Sequence, residues 1–204
     1  MHPDLARVNA PIIYELPSIL DRLEMPRLFN LPKPCEVELG SGDGSFLVEY
    51  AQRHPDHNFL GVERLLGRLR KVERKAQRAG LTNLRAVRIE ASYLLQYLLP
   101  AHCACALHIY FPDPWPKRKH RRHRLVNSSF PALAHERLAE RGKVFLRTDD
   151  ADYFEQMCAV FGAGSLFRPV DTPSELAGVI TDFESGFQAR GIETLHAGYE
   201  SIPG

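Results

Sequence analysis

Cys35-Glu36-Val37-Glu38-Leu39-Gly40-Ser41-Gly42-Asp43-Gly44-Ser45-Phe46-Leu47 is the stretch on which the fold turns. Cys35 to Leu39 predicts a strand. Glycines at 40, 42 and 44 follow at once. Phe46, Leu47, Tyr50 and Ala51 then recur at helical spacing until His54-Pro55 stops them. Strand, glycine loop and helix in succession open a βαβ unit. The glycines let the backbone turn tightly and let a ligand approach it without Cβ clashes. A plain βα turn would look the same, so the loop alone assigns no ligand.

Working outward, Asn58 to Val62 predicts a second strand that ends at Glu63. An acid there is placed to accept hydrogen bonds from ribose hydroxyls, the alternative being an exposed loop carboxylate. Leu65, Leu69, Val72 and Ala76 stripe the next helix, with Gly80 as its C-cap. Its other face carries Arg64, Arg68, Arg70, Lys71, Arg74, Lys75 and Arg78, read first as a solvated face and second as a phosphate-facing one. Leu84 to Ile89 predicts the third strand, with Glu90 at its end. A helix over Ser92 to Leu98 follows, closed by Pro100, and Ala106 to Phe111 predicts the fourth strand. Phe130 to Ala139 reads as helix, Gly142 breaks it, and Lys143 to Arg147 reads as the fifth strand, ending at Thr148-Asp149. Tyr153, Phe154, Met157, Val160 and Phe161 stripe one more helix. Residues 166–170 and 194–200 read as final strands with no convincing helix pattern between them.

Five alternations of strand and helix make this an α/β chain with a mostly parallel sheet, and the last two strands suggest an antiparallel edge. Glu38, Glu63, Glu90, Asp113 and Asp149 then fall at or near carboxyl ends of strands, on the rim where ligands bind in such sheets. Residues 1–34 hold six prolines and read as an irregular lead-in with a short helix from Ser18 to about Glu24. Residues 35–204 form the folded domain.

The second informative stretch runs from Ile109 to Val126. Pro112, Pro114 and Pro116 alternate with Asp113 and Trp115, so helix is excluded and a stiff, extended backbone is expected. Lys117, Arg118, Lys119, Arg121, Arg122 and Arg124 follow, with His120 and His123 among them. Singly these are a turn aspartate, a core tryptophan and a solvated charge run. Together they set a carboxylate, an aromatic plane and a phosphate-binding footprint at a strand end.

Composition sets limits on function. Net charge is only +1 over 204 residues, so attraction to a polyanion must be local to Lys117–Arg124. No apolar run approaches the roughly 18–20 residues of a membrane span, and the N-terminus lacks a signal-peptide pattern. Cys35, Cys103, Cys105 and Cys158 show no Cys-x-x-Cys pair and no zinc-ligand spacing, and read as reduced, mostly buried thiols of a cytoplasmic protein. No metal-ligand cluster is visible in the sequence.

At this point the chain resembles a family. Phe111-Pro112-Asp113-Pro114-Trp115 with its basic block resembles the signature of tRNA (guanine-N7-)-methyltransferases of the bacterial single-chain type. Glu38 to Gly44, Gly61-Val62-Glu63, Thr148-Asp149 with Tyr153, and Thr181-x-Phe183-Glu184 fit the other family motifs in order. The resemblance spans roughly residues 35–200. It implies a Rossmann-like fold using S-adenosylmethionine (SAM), and methylation of N7 of guanosine 46 in the tRNA variable loop. It implies cofactor contacts from Glu38, Gly40, Gly42, Gly44, Glu63, Glu90 and Asp113, with Asp113 also catalytic. It implies substrate contacts from Lys117, Asp149, Thr181, Asp182, Phe183 and Glu184, and RNA contacts from Lys119, His120, Arg121, Arg122, His123 and Arg124. tRNA is the implied partner, with no membrane and no obligatory protein partner, as a monomer or homodimer. The chain departs from the pattern at Glu90, where Asp is usual, at His123, where Arg is usual, and at Gly186-Phe187, where an Arg-Gly pair is usual. The rival readings are a methyltransferase for another substrate, a non-catalytic RNA-binding subunit, and a dinucleotide-dependent dehydrogenase. The last is disfavoured because Gly40-x-Gly42-x-Gly44 is not Gly-x-Gly-x-x-Gly.

Overall fold

The computed structural model describes residues 11–203, without the side chains of Asp182, Phe183 and Gln188. In chain order the elements are α1 (Met25–Leu28), β1 (Cys35–Leu39), α2 (Ser45–Arg53), β2 (Asn58–Val62), α3 (Leu66–Arg78), β3 (Leu84–Val87) and α4 (Ala91–Tyr93), which runs into a π-helical turn at Leu94–Leu98. Then come β4 (Ala104–Tyr110), a 3₁₀ helix at Arg118–His123, α5 (Phe130–Arg137), β5 (Leu138–Thr148), α6 (Ala151–Gly162), β6 (Phe167–Val170), α7 (Ser174–Ala177), α8 (Asp182–Gln188) and β7 (Leu195–Ser201).

The seven strands lie in the order β3-β2-β1-β4-β5-β7-β6. β1 to β5 are parallel, and β7 runs antiparallel between β5 and β6. The order reverses at β1 and β4, which is the switch point where open α/β sheets bind ligands. β1 and β2 are buried along their whole length, as strands covered on both faces must be. One face packs α2, α3 and α7 through Phe46, Leu47, Leu69, Val72 and Leu176. The other packs the π turn, α5 and α6 through Leu94, Leu98, Phe130, Met157 and Phe161. Each such fully buried side chain contributes about 1.5–3 kcal/mol relative to exposure.

The structure departs from the sequence expectations at several elements. No helix forms over Ser18–Glu24. The Ser18 hydroxyl accepts from Leu20 N and Asp21 N and bends the chain there, and the single turn starts at Met25 with Pro26 at its head. Ile12 and Tyr14 bond to both sides of Ala86, so the lead-in extends the β3 edge. β5 starts at Leu138 rather than Lys143, and bends inside the strand at Arg141 (φ 58°) and Gly142. A Cβ on Gly142 would stand 2.9 Å from the Ala139 carbonyl oxygen, so only glycine fits that bend. Cys35 is buried, whereas Cys103, Cys105 and Cys158 are half-buried. Among the described residues, no helix is long and apolar enough to cross a membrane.

Candidate active site

The loop between β1 and α2 is built from left-handed glycines, with φ of 91° at Gly40, 54° at Gly42 and 78° at Gly44. Its first two amides, Gly40 N and Ser41 N, donate to the Val62 carbonyl at 2.9 and 2.8 Å and tie the loop to the end of β2. Glu63 follows that end, is buried, and accepts from Gly42 N at 3.2 Å and Leu65 N at 2.7 Å. Each carboxylate oxygen keeps a lone pair for a further donor. Asp43 pairs with Lys75 at 2.6 Å and with the Ser45 hydroxyl at 2.7 Å. Partial burial alone would raise the Asp43 carboxyl, but those partners hold it below the usual range.

Glu38 is 3% exposed, and its Oε2 has no hydrogen-bond partner; the Ser41 hydroxyl of the loop is likewise unpartnered. Burial pushes the Glu38 carboxyl up to about 8, Asp43 and Glu63 add to this, and Arg147 opposes it. Two orphaned polar groups at one glycine loop are costly unless a ligand satisfies them. Glu90 sits on the next strand end, is exposed, and caps α4 by accepting from Ser92 and from Tyr93 N at 2.9 Å. Burial would raise it, but the Ser92 hydroxyl and the amides of the turn hold it below its ordinary value.

The proline segment follows β4. It is not simply extended: Phe111 and Trp115 adopt φ of 48° and 44°, each directly before a proline. That left-handed backbone is strained for bulky residues. Phe111 N donates to the Arg147 carbonyl at 2.8 Å, which fixes the entry to the segment. Asp113 lies exposed between the two bends and makes no hydrogen bond or ion pair among the described residues. Trp115 is 37% exposed, its ring 5.9 Å from that of His120 and 5.2 Å from that of His123.

The basic block folds into the 3₁₀ helix and divides in two. Arg124 turns inward and is 1% exposed. It donates to the Pro114 carbonyl at 2.7 Å, Gln156 at 2.8 Å and Asp152 at 2.6 Å, over the Tyr153 ring. Tyr153 Oη accepts from Val126 N at 2.9 Å. Arg121 pairs with Asp152 at 2.7 Å. Residues three apart share a side of a 3₁₀ helix, so Arg121 and Arg124 reach the same carboxylate. Lys117, Arg118, Lys119 and Arg122 are exposed and form no ion pair among the described residues. The structure therefore does not place Arg124 with the exposed cations of its run.

The far wall is the 174–188 segment. Arg147, 1% exposed at the end of β5, donates to Val179 O at 2.8 Å, to Leu176 O and to Glu184 at 3.0 Å, and stacks over Tyr110. Thr181 and Glu184 form a capping box that starts α8. Both are buried, so each holds the segment in place. Phe187 of α8 meets Phe111 with ring centroids 5.4 Å apart. Asp149 is exposed just beyond β5. The side chains of Asp182 and Phe183 lie outside the described residues. The structure thus gathers Glu38, Gly40, Gly42, Gly44, Glu63, Glu90, Asp113 and Asp149 along one rim, with Lys117 leading away from it. Sequence reading missed Arg147, a buried guanidinium in an apolar strand with no motif to announce it.

Residues 32–197 match the family described as "Putative methyltransferase". A tRNA (guanine-N(7)-)-methyltransferase of Chromohalobacter salexigens is 36% identical over 171 residues, 80% of this chain and 70% of the relative. One from Geobacter metallireducens is 30% identical over 192 residues, covering 92% of this chain and 91% of the relative. The crystal structure of the 16S rRNA methyltransferase KamB superposes with a TM-score of 0.63 at 16% identity, over 88% of this chain and 93% of that one. At that identity the likeness is one of fold, Rossmann-like with a mostly parallel sheet.

Proposed function

The chain belongs to the tRNA (guanine-N7-)-methyltransferase family, and we propose that it methylates N7 of guanosine 46 in the tRNA variable loop from SAM, in the cytoplasm. One observation carries the reading. A glycine loop with an orphaned, buried Glu38 oxygen shares a rim with an exposed Asp113, and exposed cations lead away from that rim. The residues fit SAM. Its cationic amine would give Glu38 Oε2 a partner, Glu63 would hold its ribose hydroxyls, and the Ser41 hydroxyl would gain a neighbour. When bound, SAM supplies a methyl group already activated by its sulfonium.

The chain's own task follows from the substrate. Guanine N7 carries a free in-plane lone pair, so no base is needed to remove a proton before attack. Positioning is then the main contribution, and it can supply several kcal/mol of the barrier. Asp113, held between two strained bends, accepts from the guanine N1–H and exocyclic amine and offsets positive charge developing on the ring. Trp115 offers a plane for a base, a contact of about 1–3 kcal/mol. Lys117, Arg118, Lys119 and Arg122 meet phosphates, and Arg124 holds their helix in place.

The reading is tested by incubating unmodified tRNA with the protein and SAM and analysing its nucleosides. 7-Methylguanosine should appear, and should not appear in a tRNA with adenosine at position 46. Methylation that persists in that tRNA overturns the choice of position. No 7-methylguanosine at all, with SAM bound, favours a methyltransferase for another substrate, and no SAM binding at all favours the non-catalytic RNA-binding reading.

A further inference from the structure

The opposite rim of the sheet carries a second polar cluster. Glu36 lies near the start of β1, Cys105 near the start of β4, and His57 directly precedes β2. These three strands are neighbours, so the residues meet at the amino-terminal end of the sheet, away from the glycine loop and Asp113. One carboxylate oxygen, one imidazole nitrogen and the thiol sulfur lie within 4.8 Å of one another. Glu36 is buried, while His57 and Cys105 are half-buried and open to solvent.

Glu36 and Cys105 are held from behind. Glu36 Oε2 lies 2.6 Å from His108 Nε2, and His108 Nδ1 lies 2.8 Å from the Tyr110 hydroxyl. That buried chain fixes the carboxylate and leaves Oε1 facing His57 Nε2 at 3.9 Å, too long for a hydrogen bond. On the other side of the imidazole, Nδ1 lies 3.2 Å from an Asp56 carboxylate oxygen without a hydrogen bond to it, and is buried with no other partner. Cys105 Sγ donates to the Cys35 carbonyl at 3.2 Å. The β4–β5 register shifts between Ala104 and Ala106, so Cys105 stands at an irregularity of the kind that re-aims a side chain.

We propose that Glu36, His57 and Cys105 bind a zinc ion, with a fourth position open to water. Imidazole nitrogen, thiolate sulfur and carboxylate oxygen are zinc's protein donors. With bonds of about 2.0–2.3 Å, ligand atoms around a tetrahedral zinc stand about 3.3–3.7 Å apart. The Glu36–His57 separation is close to that already, and the longest separation closes with about an ångström of side-chain movement. As the sulfur–zinc bond forms, the Cys105 thiol proton passes to solvent, and no oxidant or reductant is involved. The ion clips together the starts of β2, β1 and β4. The spacing of the four cysteines could not reveal it, because the ligands come from three strands and only one is a cysteine.

The full chain, stripped with a chelator and dialysed, is titrated with cobalt(II) and then with zinc(II). A thiolate-to-cobalt charge-transfer band should grow to about one ion per chain and be displaced by zinc. Cys105→Ser should abolish the band. His57→Gln, at a half-exposed position, should lower zinc affinity at least about ten-fold while the far-ultraviolet circular dichroism stays unchanged. Cys103→Ser should leave the band intact. Absence of the band in the parent chain overturns the proposal, and so does a band of full intensity in Cys105→Ser.

Discussion

Glu38 is a carboxyl closed in by the strand that carries it, and its proton reports on the site around it. Its folded value of about 8 lies above the ordinary 4.5, with burial as the first cause. A raised folded value favours the native state at low pH, and that contribution is lost as pH rises from the unfolded value through about 8. Glu38→Gln is neutral at every pH, so it should remove this loss. Urea unfolding should show the variant gaining on the parent, by on the order of 2–4 kcal/mol, between about pH 5 and about pH 8.5. A difference that does not change with pH would separate the Glu38 proton from folding. Asp113→Asn keeps size and loses charge; turnover on tRNA should fall about 10²-fold with tRNA affinity nearly unchanged. Near-normal turnover would leave Asp113 a turn residue. Sequence placed both acids at strand ends because position after an apolar run is one-dimensional information. It did not show that Arg124 points inward, because a run of cations does not say which member finds a carbonyl and a carboxylate behind it.

The strands were legible and the final helices were not. β1 and β2 have the limits read from the sequence, since each is a short run bounded by glycine, proline, histidine or acid punctuation that leaves little choice. α7 and α8 were missed, although Thr181-x-x-Glu184 is a helix-start signature. In the structure those two residues form a capping box whose Glu184 also pairs with Arg147, whatever the segment contacts in a substrate. Thr181→Ala should therefore cost about 1 kcal/mol in chemical denaturation, from the lost cap. A neutral result would show that Arg147 alone holds the segment. Arg124→Ala removes three hydrogen bonds and a guanidinium packed on Tyr153, and should cost about 2–4 kcal/mol. Arg122→Ala, exposed on the same 3₁₀ helix, should stay within about 0.5 kcal/mol. Equal effects would mean that the inward fastening contributes little.

Across the whole molecule the charges nearly cancel, so RNA binding rests on where they are gathered. Replacing Lys117, Arg118, Lys119 and Arg122 with Ala should flatten the dependence of log tRNA affinity on log salt by about two to three units, with SAM affinity unmoved. An unchanged slope would move the RNA surface to exposed Arg64 and the exposed α3 cations Arg70, Lys71, Arg74 and Arg78. That β1 to β5 run parallel followed from alternation; their order in the sheet did not. The insertion of β7 between β5 and β6 did not, because short final strands carry no crossover helix to fix their place. The left-handed bends at Phe111 and Trp115 have a consequence at this scale. Such a posture costs about 1–3 kcal/mol per residue and persists only where the surroundings over-determine it. Here those surroundings are the Arg147 carbonyl, which holds Phe111, and the Arg124 guanidinium, which holds Pro114. A synthetic peptide copying residues 109–126 would keep every charge and relax out of that shape, so the motif is a property of the folded chain and cannot be transplanted as a word.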